Sequence, residues 1–257
     1  MLENKDIDEL KTKNEKLAKI FENLGPLMTA TKRAKSVKQP RGGYIKRVDF
    51  DEISLGLGEE ELNENENIHA SLMGMAIDYL TRFQLTGDKV EAFKISLLGS
   101  DRIGELETAT ILLYGIKGLD DQSITNAIKI SGYDVLYRTS GVGFIPIEEI
   151  NPDQATIENV RIMVKRTLNF FEKYGPITKD TLWDLKVLKN HFTKNHSLQL
   201  FIYWRMGLKS DYESFKNIKY IGIYNPRKNK VFTYDLSKLP PEIIRIVDEE
   251  VIGYEES

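Results

Sequence analysis

Asp184 and Lys186 stand two residues apart in the run Thr181-Leu182-Trp183-Asp184-Leu185-Lys186-Val187-Leu188. Successive side chains of a strand project to opposite faces. The alternation therefore predicts a strand with Trp183, Leu185 and Val187 on one face and Asp184 beside Lys186 on the other. A carboxylate next to an ammonium suits metal-assisted hydrolysis of a phosphodiester. The acid holds Mg²⁺ or Mn²⁺, while the lysine orients the attacking water and offsets charge on the phosphate. A half-exposed strand of no special purpose gives the same alternation, so the pair alone decides nothing. The following element adds to it: 197–204 reads as helix and places Gln199 and Tyr203 four apart, on one face.

An Asp-x-Lys strand followed by a helix bearing Gln-x-x-x-Tyr resembles the PD-(D/E)XK nuclease superfamily, specifically its RecB-like branch, over 181–206. The resemblance implies a DNA-cleaving enzyme using Mg²⁺ or Mn²⁺. Asp184 would be a metal ligand, Lys186 the water-orienting or charge-stabilising lysine, and Gln199 and Tyr203 supporting contacts to substrate or lysine. Upstream, Met73-Gly74-Met75-Ala76-Ile77-Asp78-Tyr79 is similar to the family's opening helix, which would make Asp78 a second metal ligand. A buried helix whose Asp78 pairs with Arg82 explains the same residues. Genome defence, repair and mobile-element processing are all compatible with such an enzyme.

The resemblance further implies a second acid on a strand paired with the Asp-x-Lys strand. Asp180 does not serve, because four residues of extended chain separate its α-carbon from that of Asp184 by roughly 13 Å. With 178–180 as a hairpin turn, Tyr174, Gly175 and Pro176 face Asp184, and none is acidic. Glu158, Glu172 and Asp78 are the remaining carboxylates. Either the acid comes from elsewhere, or residues are missing from this stretch, or the site is degenerate and holds Mg²⁺ weakly. The alternative function is accordingly a catalytically inactive nuclease-fold protein that binds DNA or a protein partner. An adaptor that contacts no nucleic acid is a third reading.

Other chemistries find less support. His191 and His196 lie five apart with no Glu after the first, which departs from a helical zinc pair. His69 precedes an apolar helix and suits a capping or packing role. Neither a phosphate-binding glycine loop nor a nucleophile elbow is present.

The elements that must position these residues follow from periodicity. Ile7, Leu10, Asn14, Leu17, Phe21 and Leu24 form a short heptad pattern, predicting an N-terminal amphipathic helix over 1–30. That helix either offers a homodimer seam or lies on its own protein. The stretch 31–67 is charged. Over 31–47 it carries seven basic residues and no acid, with Lys32, Arg33, Lys35 and Arg41 as candidate phosphate contacts. A solvated linker is the plainer explanation. From 49 to 66 acids crowd what reads as a surface loop. Helices are predicted over 68–85, 106–116, 122–131, 155–173, 197–206 and 241–251, with strand-like runs at 133–138 and 143–147. A hairpin over 220–224 and 231–234 carries Arg227 and Lys228 at its tip, a further candidate nucleic-acid contact. The order predicts an α/β fold with a restriction-endonuclease-like three-layer core, a central mixed sheet flanked by helices. That domain would span 68–257, with a helical insertion over about 88–150.

Composition bounds the rest. With 41% hydrophobic and 29% charged residues the chain can bury a substantial core. It contains no cysteine, which excludes disulfides, thiol chemistry and cysteine-ligated metals. A net charge of −3 gives no global attraction to a polyanion, so DNA would need a local patch. Neither a leader-like N-terminus nor an apolar run of membrane-spanning length occurs, and a cytoplasmic protein without membrane contact is the expectation.

Overall fold

The computed structural model describes residues 30–56, 60–139, 141–174 and 180–254, together with the backbone of 177 and 178. The heptad pattern over 1–24 lies outside the described residues. The described chain falls into two compact units, a helical one within 58–168 and a sheet-containing one built from 27–57 and 169–257.

The first described element of the sheet unit is α1 (Ala30–Ser36), at the start of the basic stretch. Ala30 and Ala34, one turn apart, are its buried face. The segment therefore carries an ordered helix where a solvated linker was the plainer expectation. Strand β1 (Asp51–Ser54) follows, in part of what reads as an acidic surface loop. All four of its side chains are exposed, so no hydrophobic alternation marks it.

The helical unit contains α2 (Ala70–Thr86), α3 (Lys89–Ala92), α4 (Lys94–Asp101), α5 (Leu106–Tyr114), α6 (Asp121–Ser131) and α7 (Asp134–Thr139). The long helix α8 (Gln154–Tyr174) contributes all but its last turns. His69 caps α2 by accepting from the Ser71 backbone N–H, and Asp120 caps α6 in the same way from Ser123. Met73, Ile77, Leu80, Leu97, Leu113, Ile124 and Ile128 are fully buried. Two strand expectations fail here. Residues 134–139 are helical and 143–147 form no strand. Val135 and Tyr137 favour strands locally, but tertiary context wins. Asp134, only 1% exposed, pairs with Arg138 at 2.7 Å across one helical turn. Gly99 brings α4 so close to Tyr133 that a β-carbon there would lie 2.0 Å from the Tyr133 carbonyl oxygen. The acidic loop from 60 to 68 is fastened along α8: Asn63 N–H donates to Asn159 Oδ1 at 2.7 Å, and the Asn159 amide donates back to the Asn63 carbonyl at 2.9 Å.

The last turns of α8 open the second half of the sheet unit, followed by β2 (Ile177–Thr178), β3 (Thr181–Leu185), α9 (Lys194–Leu208), β4 (Tyr220–Asn225), β5 (Lys230–Asp235) and α10 (Pro241–Ile246), which runs into a π turn, Val247–Ile252. The five strands form one mixed sheet in the order β1-β5-β4-β3-β2. Strands β3 and β4 run parallel, joined by the crossover helix α9, and every other pairing is antiparallel. One face packs Leu182, Ile221, Ile223 and Phe232 into a core with Leu198, Phe201 and Ile202 of α9 and Ala30 and Ala34 of α1. The other packs Trp183, Leu185, Tyr224 and Val231 against Phe170, Phe171 and Tyr174 of α8. The unit is thus an α/β fold with helix on both faces of its sheet. No helix among the described residues is long and apolar enough to cross a membrane.

Candidate functional site

Strand β3 alternates as its sequence requires, with Leu182 committed to the core beneath α9 and Trp183 and Leu185 to the core beneath α8. Period two then places Asp184 on the α9 face, in register with Ile223 of β4. Lys186 lies one residue beyond the strand. Its backbone N–H still donates to the Tyr224 carbonyl at 2.9 Å. Past that point Asn225, 2% exposed, substitutes for strand pairing: its amide donates to the Leu188 carbonyl at 2.9 Å and its Oδ1 accepts from Leu188 N–H at 3.4 Å and Arg227 N–H at 3.1 Å. The backbone carrying Lys186 is held on both sides.

The Lys186 ammonium meets Asp184 Oδ2 at 2.8 Å, with the two side chains 19% and 15% exposed. At that distance, with both side chains mostly buried, the two charges attract strongly. His196 lies on the first turn of α9, because the helix begins at Lys194 rather than at the expected 197. Burial pushes its imidazole down to about 4, with the Lys186 and Lys35 ammoniums adding to the effect. It is neutral at physiological pH.

His196, Gln199 and Tyr203 follow at intervals of three and four and so share one face of α9. The Gln199 side chain, 7% exposed, donates through Nε2 to Tyr203 Oη and to Thr31 Oγ1, both at 2.8 Å. Helix α1 thereby joins the site through Thr31, a residue without a motif to flag it. One turn further along α1 comes Lys35. Beyond the helix, Gln39 donates to Asn195 Oδ1 at 2.9 Å. The two helices run antiparallel, 31 beside 199 and 39 beside 195, which sets Lys35 opposite the His196 end of the α9 face.

The other expected residues are placed as follows. Asp78 belongs to the helical unit and pairs with Arg82 at 3.0 Å. Tyr174 packs with Phe170, while Gly175 and Pro176 lie outside the described residues. The hairpin register joins Ile177 to Leu182 and Thr178 to Thr181. Arg33 donates to the carbonyls of Val251 and Ile252 at 3.0 and 2.7 Å, tying the C-terminal turn to α1. Lys32, Lys35 and Arg41 are exposed, whereas Arg227 and Lys228 at the hairpin tip are half-buried. His191 Nδ1 lies 3.4 Å from an Arg47 nitrogen and His196 Nδ1 accepts from Thr193 N–H at 3.2 Å, so the two imidazoles serve different neighbours.

The donors at this corner suit a phosphate better than a bare cation. Asp184 is the carboxylate the strand supplies, and its charge is met by Lys186. Among the described residues no three His, Cys, Asp or Glu side chains gather as a metal-binding group. One carboxylate holds Mg²⁺ poorly unless phosphate oxygens complete the shell. The residues described do not by themselves fit a preformed Mg²⁺ site.

What the fold and site define is an α/β unit with an acid–lysine pair at the C-terminal end of a parallel strand, beneath the helix that follows it. No family model, curated protein or solved structure matches this chain.

Proposed function

We propose that the sheet unit is a restriction-endonuclease-like module that engages the phosphodiester backbone of DNA at the β3–α9 corner and hydrolyses it. The observation that carries this reading is the Asp184–Lys186 pair at 2.8 Å on the sheet face covered by α9, with Gln199 and Tyr203 on that helix. The chemical part is simple. An ammonium facing a phosphate stabilises charge that builds on its oxygens during attack by water, and the mostly buried carboxylate 2.8 Å from it fixes where that ammonium points. A divalent cation, Mg²⁺ or Mn²⁺, would supply Lewis acidity in company with substrate oxygens.

A second reading, a module that binds DNA or a protein partner without cutting, is favoured by the same ion pair, because a carboxylate already neutralised by lysine attracts Mg²⁺ less. One experiment separates the two. Purified protein is incubated with linear and circular DNA in Mg²⁺ or Mn²⁺, beside Asp184→Ala and Lys186→Ala. Cutting by the unaltered protein that both substitutions abolish supports the enzyme; retention of uncut DNA supports the DNA-binding module; neither cutting nor retention overturns the enzyme and the DNA-binding form of the second reading.

A further inference from the structure

The basic stretch at 31–47 loses its unity in three dimensions, and that division carries an inference. Arg33 is committed to the carbonyls of Val251 and Ile252, and Ala30 and Ala34 face the core. Thr31 and Lys35 form a separate stripe, since residues four apart share a helix face. Thr31 is fastened to Gln199 at 2.8 Å and Gln39 to Asn195 at 2.9 Å, so the stripe lies along the α9 face that carries His196, Gln199 and Tyr203. Both the Lys35 and Lys186 ammoniums act on the His196 imidazole. Counting Asp184, Lys186, Lys35 and a neutral His196, this corner carries one net positive charge although the chain as a whole is at −3. A local positive site of that kind, edged by the Thr31 and Tyr203 hydroxyls and the Gln199 amide, has the chemistry of a phosphate seat.

We propose that α1 forms a wall of the DNA-binding corner, with Lys35 seating a backbone phosphate beside the Asp184–Lys186 pair and Thr31 holding α1 to Gln199 in that position. The proposal rests on the reading that the corner engages DNA, and it adds a positioning helix and a phosphate contact that lie outside the strand-and-helix motif. Lys35 contacts phosphate and carries no base specificity.

The test is a salt titration of binding by the full chain to fluorescent single-stranded and duplex DNA, followed by anisotropy. It compares unaltered protein with Lys35→Ala, Lys35→Arg, Thr31→Val and Lys38→Ala, each checked for an unchanged thermal midpoint. Lys38→Ala removes the same charge from the same basic stretch at an exposed position beyond the helix. Loss of one phosphate contact lowers the slope of log affinity against log salt by about 0.9 for duplex and about 0.7 for single strands. We expect that decrease for Lys35→Ala, with binding weakened roughly 5- to 10-fold at low salt. Lys35→Arg retains binding, Thr31→Val weakens it without changing the slope, and Lys38→Ala changes it less than about twofold. If Lys35→Ala and Lys38→Ala behave alike while DNA still binds and Lys186→Ala still weakens it, the wall is overturned and the corner survives. Inorganic phosphate serves as the competing probe. If it raises the thermal midpoint in a Lys35-dependent way while DNA does not bind, the seat is for free phosphate and the DNA form of the proposal falls. No binding of DNA or phosphate overturns the wall together with the reading beneath it.

Discussion

Asp184 and Lys186 are each more than four-fifths buried, and their energetics follow from that. Removing one partner of such a pair leaves a desolvated charge uncompensated, while removing both leaves mainly a packing change. Lys186→Met and Asp184→Asn should therefore each destabilise by about 1–3 kcal/mol, with the double variant costing less than the sum. Urea denaturation of the three variants measures this, and strict additivity would mean that the pair is not coupled. His196 adds a dependence on pH. Its folded-state value, near 4, lies below the ordinary 6.5, so the unfolded chain binds a proton first as the solution is acidified. Stability conferred by the neutral imidazole is complete above about pH 6.5 and declines as pH falls through 4. Facing His196 are Lys186, Lys35 and the Thr193 N–H, and protonation would set a third positive charge among the first two. Partial exposure discounts the effect to about 1 kcal/mol. His196→Gln should lessen the drop in urea midpoint between pH 7 and pH 4.5, while an identical drop would remove His196 as its source.

Where β3 meets β4 the two strands are matched by size. The Trp183 indole covers Gly222, where an added β-carbon would come within 2.3 Å of the ring, and the same ring meets Phe170 edge-on at 5.1 Å. Held on both sides, the indole cannot withdraw freely, so Gly222→Ala should cost about 1–3 kcal/mol in chemical denaturation, and a neutral result would show that the ring can move. This packing bears on what could be read in advance. The strand at 181–185, three residues shorter than the run that predicts it, the Gln-x-x-x-Tyr helix and the β4–β5 hairpin were legible because each carries strong local periodicity that its tertiary setting reinforces. Strand β1 was not, because an edge strand with four exposed side chains has no apolar face to betray it. Helix α7 read as strand because the contacts that hold it, Tyr79 donating to Asp134 and Gly99 against Tyr133, come from residues far away in sequence. Thr31 was invisible for the same reason: its partner, Gln199, lies 168 residues away.

At the scale of the whole molecule the sheet unit is discontinuous in sequence and the described helical unit is continuous. Strand β1 pairs with β5, α1 packs on α9, and Arg33 holds the last turn, so residues before 57 are needed to finish a fold whose other parts begin at 169. The described part of the helical unit lies in one run of sequence. Its apolar core draws on α2 and α4–α6, and the capping of α2 and α6 is supplied by residues 69 and 120 within it. Folding free energy is a small difference between burial and chain entropy, so a segment keeps its fold in isolation only when its core and caps are its own. A fragment of residues 58–168 should therefore be helical by circular dichroism and melt cooperatively, whereas a fragment of residues 169–257 should lack a cooperative transition until a second fragment covering 27–57 is added. Restoration on mixing, followed by near-ultraviolet circular dichroism of Trp183 and Trp204, is the expected result. A 169–257 fragment that folds alone would show that α1 and β1 are accessories to the sheet, and would remove the structural reason for placing Thr31 and Lys35 at its functional corner.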